Sequence, residues 1–350
     1  VAGRLKLRRG VVVSAQPLEV EVEGESRRAW ADEVLLGEMH EGDEVIVNTA
    51  ALDLGLGSGG FDVVHVNLTR GLEGGSETDA HVMKLNYTSL QHPVEPVECP
   101  AGRVIRDIDG KLATLPVAVL PLHGHLAPAA WAAAQASPGL RVGYIQTAGG
   151  ALPGSFSRDV EQLRERGLLA GHITAAPSYG GEHEALSPVG ALDAAAGDLG
   201  WDAILIGPGP GIIGSETAYG HGGMSALDNA HAALSFNLPT LISPRLSSSD
   251  PRERHRGLSH HTRTVLQLLL APVDVPIPEA EPEVAMALEP FPHPVQQIST
   301  DLEGYAAASL PTTTMGRSLQ DDPLFFKAAL AAGTHLARVA RQGAPPLRKL

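Results

Sequence analysis

Between residues 117 and 270, short apolar runs alternate with helix-like segments, and this alternation constrains the fold more than any other feature. The runs cover residues 117–122, 140–146, 172–176, 203–206 and 240–243. Pro128 stands in the first turn of an alanine-rich segment that stops at Ser137-Pro138-Gly139. Ser157 reads as a helix N-cap, with Asp159 in the first turn and Gly167 as the stop. Ser187-Pro188 opens a third helix, residues 224–236 form a fourth, and Ser259 caps a fifth. Strands alternating with helices of this length build an open parallel sheet with crossover helices, the α/β class. Such sheets bind ligands at the carboxyl ends of their strands.

Residues 1–110 carry a different pattern. Valine-rich runs at 11–13, 18–22, 45–47, 61–66 and 81–85 are separated by glycine turns, as in a small β domain, a barrel or a sandwich. The expected organisation is an N-terminal β domain (1–110), a Rossmann-like α/β domain (111–271), a proline-rich linker or strap (272–298) and a C-terminal helical segment packed on the body (299–350). In the last, Thr300 and Glu303 form a capping box, and Asp322-Pro323 starts a helix reaching about Arg341.

The formal charge of −14 argues against a nucleic-acid surface. The single cysteine, Cys99, excludes an internal disulfide and a cysteine zinc motif and fits a reducing, cytoplasmic setting. No apolar run approaches the roughly 20 residues that span a bilayer, so no membrane partner is expected. A homo-oligomer is left open.

The strand ends carry the chemistry. His123 and His125 follow the first run; two apart, they would share one face of a strand and are the candidate ligands for a divalent metal. Gly149 and Gly150 follow the second run, and residues 178–183 the third. Gly207, Gly209, Gly211 and Gly214 follow the fourth, leading on to Glu216, Tyr219 and His221. The spacing of the last three of these glycines is that of a dinucleotide loop. Pro208 and Pro210 remove N–H donors, however, and no helix starts at once, which weakens an NADP reading. Gly55, Gly57 and Gly60 repeat the spacing before a strand, where it has no such meaning.

After the fifth run the composition turns basic. Arg245, Arg252, Arg254, Arg256 and Arg263 face only Asp250 and Glu253. Arginine forks suit phosphate and carboxylate. His255, His260 and His261 in the same stretch are the candidate general acids or bases.

The segments GPGPGIIGSETAYG and DPRERHRGLSHHT resemble an uncharacterised bacterial family, a domain of unknown function. The resemblance extends to FDVVHVNL near the start and TTMGRSLQDDPLFFKAALAAG near the end, and it implies no activity. The residues themselves point to an α/β enzyme. Arg245, Arg252, Arg254 and Arg256 with the four glycines would hold a small phosphorylated or carboxylated molecule. A ligand-binding sensor or scaffold without turnover is the second expectation, and an NADP-dependent oxidoreductase the third.

Overall fold

The computed structural model describes residues 3–56, 59–75, 79–98 and 115–343. Gly57, Cys99 and the expected domain boundary near residue 110 lie outside them. Two units form, divided after His81.

The first unit is a closed five-stranded barrel in the order β1-β2-β3-β5-β4. Its elements are β1 (Leu7–Ala15), β2 (Leu18–Val22), β3 (Glu25–Trp30), α1 (Glu33–Leu36), β4 (Glu44–Asn48), α2 (Ala50–Asp53) and β5 (Asp62–Asn67). The alternation in LEVEV sends Val20 and Val22 inward, where they join Val12, Val45, Val47 and Val64. Glu23 and Gly24, both at positive φ, make the two-residue turn from β2 to β3. Parallel pairing of β3 with β5 closes the barrel and removes the open edges.

The second unit opens with the hairpin β6 (Val82–Lys84) and β7 (His92–Val94), so the run at 81–85 belongs here and not to the barrel. Then come β8 (Val117–Val119), α3 (Leu126–Ala136), β9 (Val142–Thr147), α4 (Arg158–Glu165), β10 (His172–Ala175), β11 (His183–Ala185), α5 (Pro188–Gly197), β12 (Ala203–Pro208), α6 (Ser225–Ser235) and β13 (Thr240–Ile242). Six of these strands form one parallel sheet, ordered β11-β10-β9-β12-β8-β13. Side chains alternate across it. Val117, Val119, Ile204 and Ile206 face the core under α5 and α6. Ala118, Leu120, Ala203 and Leu205 face the core under α3. Ser157 and Ser187 cap α4 and α5, accepting from Val160 N and Gly190 N.

The hairpin is fastened to the sheet by a buried lysine. Lys84 Nζ donates to the carbonyls of Thr174 and Ser178, each at 2.7 Å, and pairs with Glu184. Lys84→Ala removes the donor these acceptors share and is expected to cost about 3 kcal/mol. A urea midpoint equal to that of the parent would contradict this role.

The segment expected as a linker or strap is instead a further strand–helix–strand unit: β16 (Val275–Pro278), α8 (Pro282–Leu288) and β17 (Val295–Ile298). It follows β14 (Leu246–Ser247), β15 (Gly257–Leu258) and α7 (His260–Leu268). β16 and β17 pair in parallel. The prolines are tolerated because the N–H groups bonding β17 alternate with them: Val275 N donates to Pro294 O and Glu279 N to Ile298 O. Residues 301–307 also depart from expectation. Asp301, not Thr300, caps α9 (Leu302–Ala307), accepting from Gly304 N at 2.7 Å.

After the short pair β18 (Thr313–Thr314) and β19 (Arg317–Ser318) comes α10 (Pro323–Gln342), the longest helix among the described residues. It lies against α3 so closely that a Cβ on Gly333 would stand 2.0 Å from the Ala129 carbonyl oxygen. Phe325, Phe326, Leu330 and Leu336 complete the core over that face of the sheet. Among the described residues, no helix is long and apolar enough to cross a membrane.

Candidate functional site

The chain leaves β12 into a glycine-rich excursion and leaves β13 into the basic stretch. Both exits are carboxyl ends of neighbouring parts of the sheet, and the two segments enclose a cleft of about 520 Å³. One wall is Ile212, Ile213, Gly214 and Glu216; the other is Arg245, Arg252, Arg254, His255, His260 and His261. The tail adds Met315 and Arg317.

Ser259 organises the histidines. Its Oγ accepts from His261 N at the start of α7 and lies 2.7 Å from His255 Nδ1. His221, at the end of the glycine excursion, stacks on His261 with ring centroids 3.6 Å apart and planes within 4°. His260 packs edge-on to His261 at 4.4 Å. Burial first, then neighbouring positive groups, hold these rings neutral. His255 is pushed down to about 3, with Arg245 the main contributing charge. His261 is pushed down to about 2, with His221 and then Arg245 contributing. At neutral pH the rings therefore carry free lone pairs, but burial and positive neighbours also make them weak proton acceptors, so this setting by itself favours neither half of the expected acid–base role.

Arg245 is the largest fully buried side chain of the described residues, at 2% exposure. Burial pushes its pKa down to about 10, so it stays charged at neutral pH. It is poorly matched. Nη1 donates to His261 Nδ1 at 3.2 Å, Nη2 lies 3.5 Å from Asp250, and Nε has no hydrogen-bond partner among the described residues. Asp250, with no exposed surface, also binds Arg252 at 2.9 Å and Arg317 at 3.3 Å. Arg254 has one weak tie, to the exposed Glu216 at 3.0 Å, and its Nε is also unpartnered.

The remaining expected site residues are placed elsewhere. Arg256 donates to the Asp250 carbonyl and lines a separate hollow with Glu281 and Glu283. Of the four glycines only Gly214 borders the cleft. Gly207 and Gly209 serve backbone packing, and Gly211 supplies a positive φ in open space. A Cβ on Gly209 would sit 2.3 Å from Ala151 O, and one on Gly150 would sit 2.1 Å from Gly209 O. The loop after β9 thus fills the space a pyrophosphate would need. The next helix, α6, begins only at Ser225, which removes the N-terminal dipole from the loop. The geometry gives the NADP reading no support.

His123 and His125 stand on a 3-10 turn rather than a strand, and they diverge. His123 bonds Ser157 Oγ at 2.7 Å and Pro208 O at 3.2 Å, whereas His125 bonds Ser243 Oγ at 2.8 Å. Both nitrogens of His123 are engaged, and the pair does not face a common point as metal ligands would. The loop 178–183 closes over Lys84, away from the cleft. Sequence reasoning missed Arg317, which arrives from the tail with no local signal. It placed His221 at a strand end without giving it a role; its stacking on His261 is visible only in three dimensions.

Fold and site together define an open parallel α/β protein with an arginine- and histidine-lined cleft at the carboxyl edge of its sheet. The chain belongs to the family described as protein of unknown function (DUF3866), whose model matches residues 28–333. No curated protein and no solved structure matches it.

Proposed function

We propose that the protein is an enzyme acting on a small phosphorylated or carboxylated molecule held in this cleft. The carrying observation is the buried, under-compensated Arg245: three arginines, Arg245, Arg252 and Arg317, face two buried carboxylates, Asp250 and Asp322, and Asp322 pairs with Arg317. A buried cation with an unpaired N–H is costly unless a ligand completes it. An anion bridging Arg245, Arg252 and Arg254 supplies the missing acceptors as charge-assisted hydrogen bonds. His255 is the histidine left to accept a proton from the bound molecule or from water, once the negative charge of the bound anion raises its depressed pKa. The single cysteine of the sequence fits a cytoplasmic setting for this chemistry.

Arg254→Ala tests the reading cleanly, because among the described residues this side chain is tied to the exposed Glu216 alone. Loss of one charge-assisted contact should weaken phosphate binding by roughly 10- to 100-fold with the unfolding midpoint unchanged. Calorimetric titration with inorganic phosphate measures this. Equal affinity in parent and variant would remove the cleft as the anion site. Turnover of phosphate esters by the parent separates an enzyme from a sensor that only binds.

A further inference from the structure

We propose that His221, His260 and His261 form a binding site for one divalent transition-metal ion of the zinc type, set at the inner end of the arginine cleft. One nitrogen from each ring lies within 4.8 Å of the other two. That spacing suits ligands which close on an ion at roughly 2.0–2.1 Å from each nitrogen. Three neutral imidazoles favour zinc and its neighbours over magnesium or calcium, which prefer oxygen. Three protein ligands also leave a coordination position for water or for a bound anion.

Three independent features point to an ion. His221 Nδ1 and His260 Nε2 are buried and have no hydrogen-bond partner among the described residues, and His221 is 7% exposed. The other nitrogen of His221 donates to the Ala218 carbonyl at 3.0 Å. This bond fixes the tautomer that leaves Nδ1 as a bare lone pair, the outer-shell arrangement that metal-bound histidines use. Finally, Gly223 keeps the space open: a Cβ there would stand 3.0 Å from His221 Nδ1 and 3.3 Å from His261 Nδ1. The two nitrogens border one point. A cation there would be coordinated by the bare His221 Nδ1 and, once Arg245 lets go of it, by His261 Nδ1.

Arg245 decides how the ion is held. Its Nη1 donates to His261 Nδ1, so metal uptake through that nitrogen turns the guanidinium away, toward the cleft. A bound anion receives it there and offsets the added positive charge. Metal and phosphate therefore bind cooperatively, each raising the affinity of the other by the same factor. This inference rests on the proposed anion cleft and shares Arg245 with it, while the three ligands are histidines that the anion reading does not need.

The test is calorimetric titration of zinc into the full, chelator-treated chain, with and without inorganic phosphate. His260→Ala and His221→Gln are compared, with circular dichroism as the check on folding. One equivalent of zinc is expected for the parent, bound more tightly when phosphate is present. Each folded variant should lose more than roughly 100-fold in affinity, beyond the 10- to 100-fold typical of an outer-shell change. If one variant does not fold, the other decides. No uptake by the parent in either buffer, or unchanged affinity in a folded variant, overturns the metal site. Phosphate binding that persists without zinc and is lost in Arg254→Ala leaves the anion reading standing on its own. Zinc uptake without any phosphate binding does the reverse.

Discussion

The Asp250→Asn variant is expected to lose about 3–5 kcal/mol of folding stability at neutral pH. Asp250 is fully buried and is the carboxylate against which Arg245, Arg252 and Arg317 are balanced. The amide removes the negative charge and turns one acceptor into a donor aimed at a guanidinium. Arg245 and Arg252 then lose the carboxylate they share, and Arg317 keeps only Asp322. Sulfate or phosphate should restore part of the loss, and should raise the melting temperature more in the variant than in the parent, because an anion in the cleft takes over the role of the carboxylate. Urea unfolding at several sulfate concentrations reads both effects. A variant as stable as its parent, or one that gains nothing from sulfate, would show that the three arginines do not share this charge.

Acidification should unfold the protein well above the carboxylate range. His125 has no exposed surface, and His172 is 4% exposed and stacked on Tyr144. Burial is the first cause of both depressions, with Arg245 next for His125 and His123 next for His172; each histidine is pushed down to about 3. In the unfolded chain the same rings titrate near 6.5. Between these limits the unfolded chain binds protons that the folded chain refuses. The stabilisation is complete above about pH 6.5 and is lost progressively as pH falls toward 3. Each ring contributes a slope of about 1.4 kcal/mol per pH unit, so the two together remove roughly 4 kcal/mol by pH 5. His172→Phe keeps the stack on Tyr144 and removes one proton from the slope. Denaturation curves at pH 7.5, 6 and 5 measure it; a stability constant across that range would refute the neutral, buried state of these rings.

The sheet was legible because its strands are buried on both faces and bounded by caps that work locally. Ser157, Ser187 and Ser259 bond the N–H groups of their own first turns, so their meaning does not depend on distant chain. The proline-rich segment was misread for the opposite reason. Its prolines are compatible with a strand only because their nitrogens face away from β17, a fact of pairing that no local pattern carries. The cleft was half legible. Arg245, Arg252, Arg254, His255, His260 and His261 lie close together in sequence and form one wall. Arg256, in the same run, points to another hollow because the 3-10 turn at Glu253–His255 redirects the backbone. Arg317 and His221 come from remote loops, and only the folded sheet brings them in. His123 and His125 lost their shared direction when the strand ended before them.

The close seat of α10 on α3 has a consequence for synthesis. Until residues 323–342 have left the ribosome, the apolar side of the sheet formed by Leu120, Tyr144 and Leu205 has α3 but lacks Phe325, Phe326, Leu330 and Leu336, so its core is incomplete whatever the strands have already paired. Arg317 and Asp322, which brace Asp250 and the Ser247–Ser248 turn, emerge just ahead of that helix. A nascent chain halted before them has the basic stretch but not the groups that brace it, so the cleft wall is completed only in the final stage of translation.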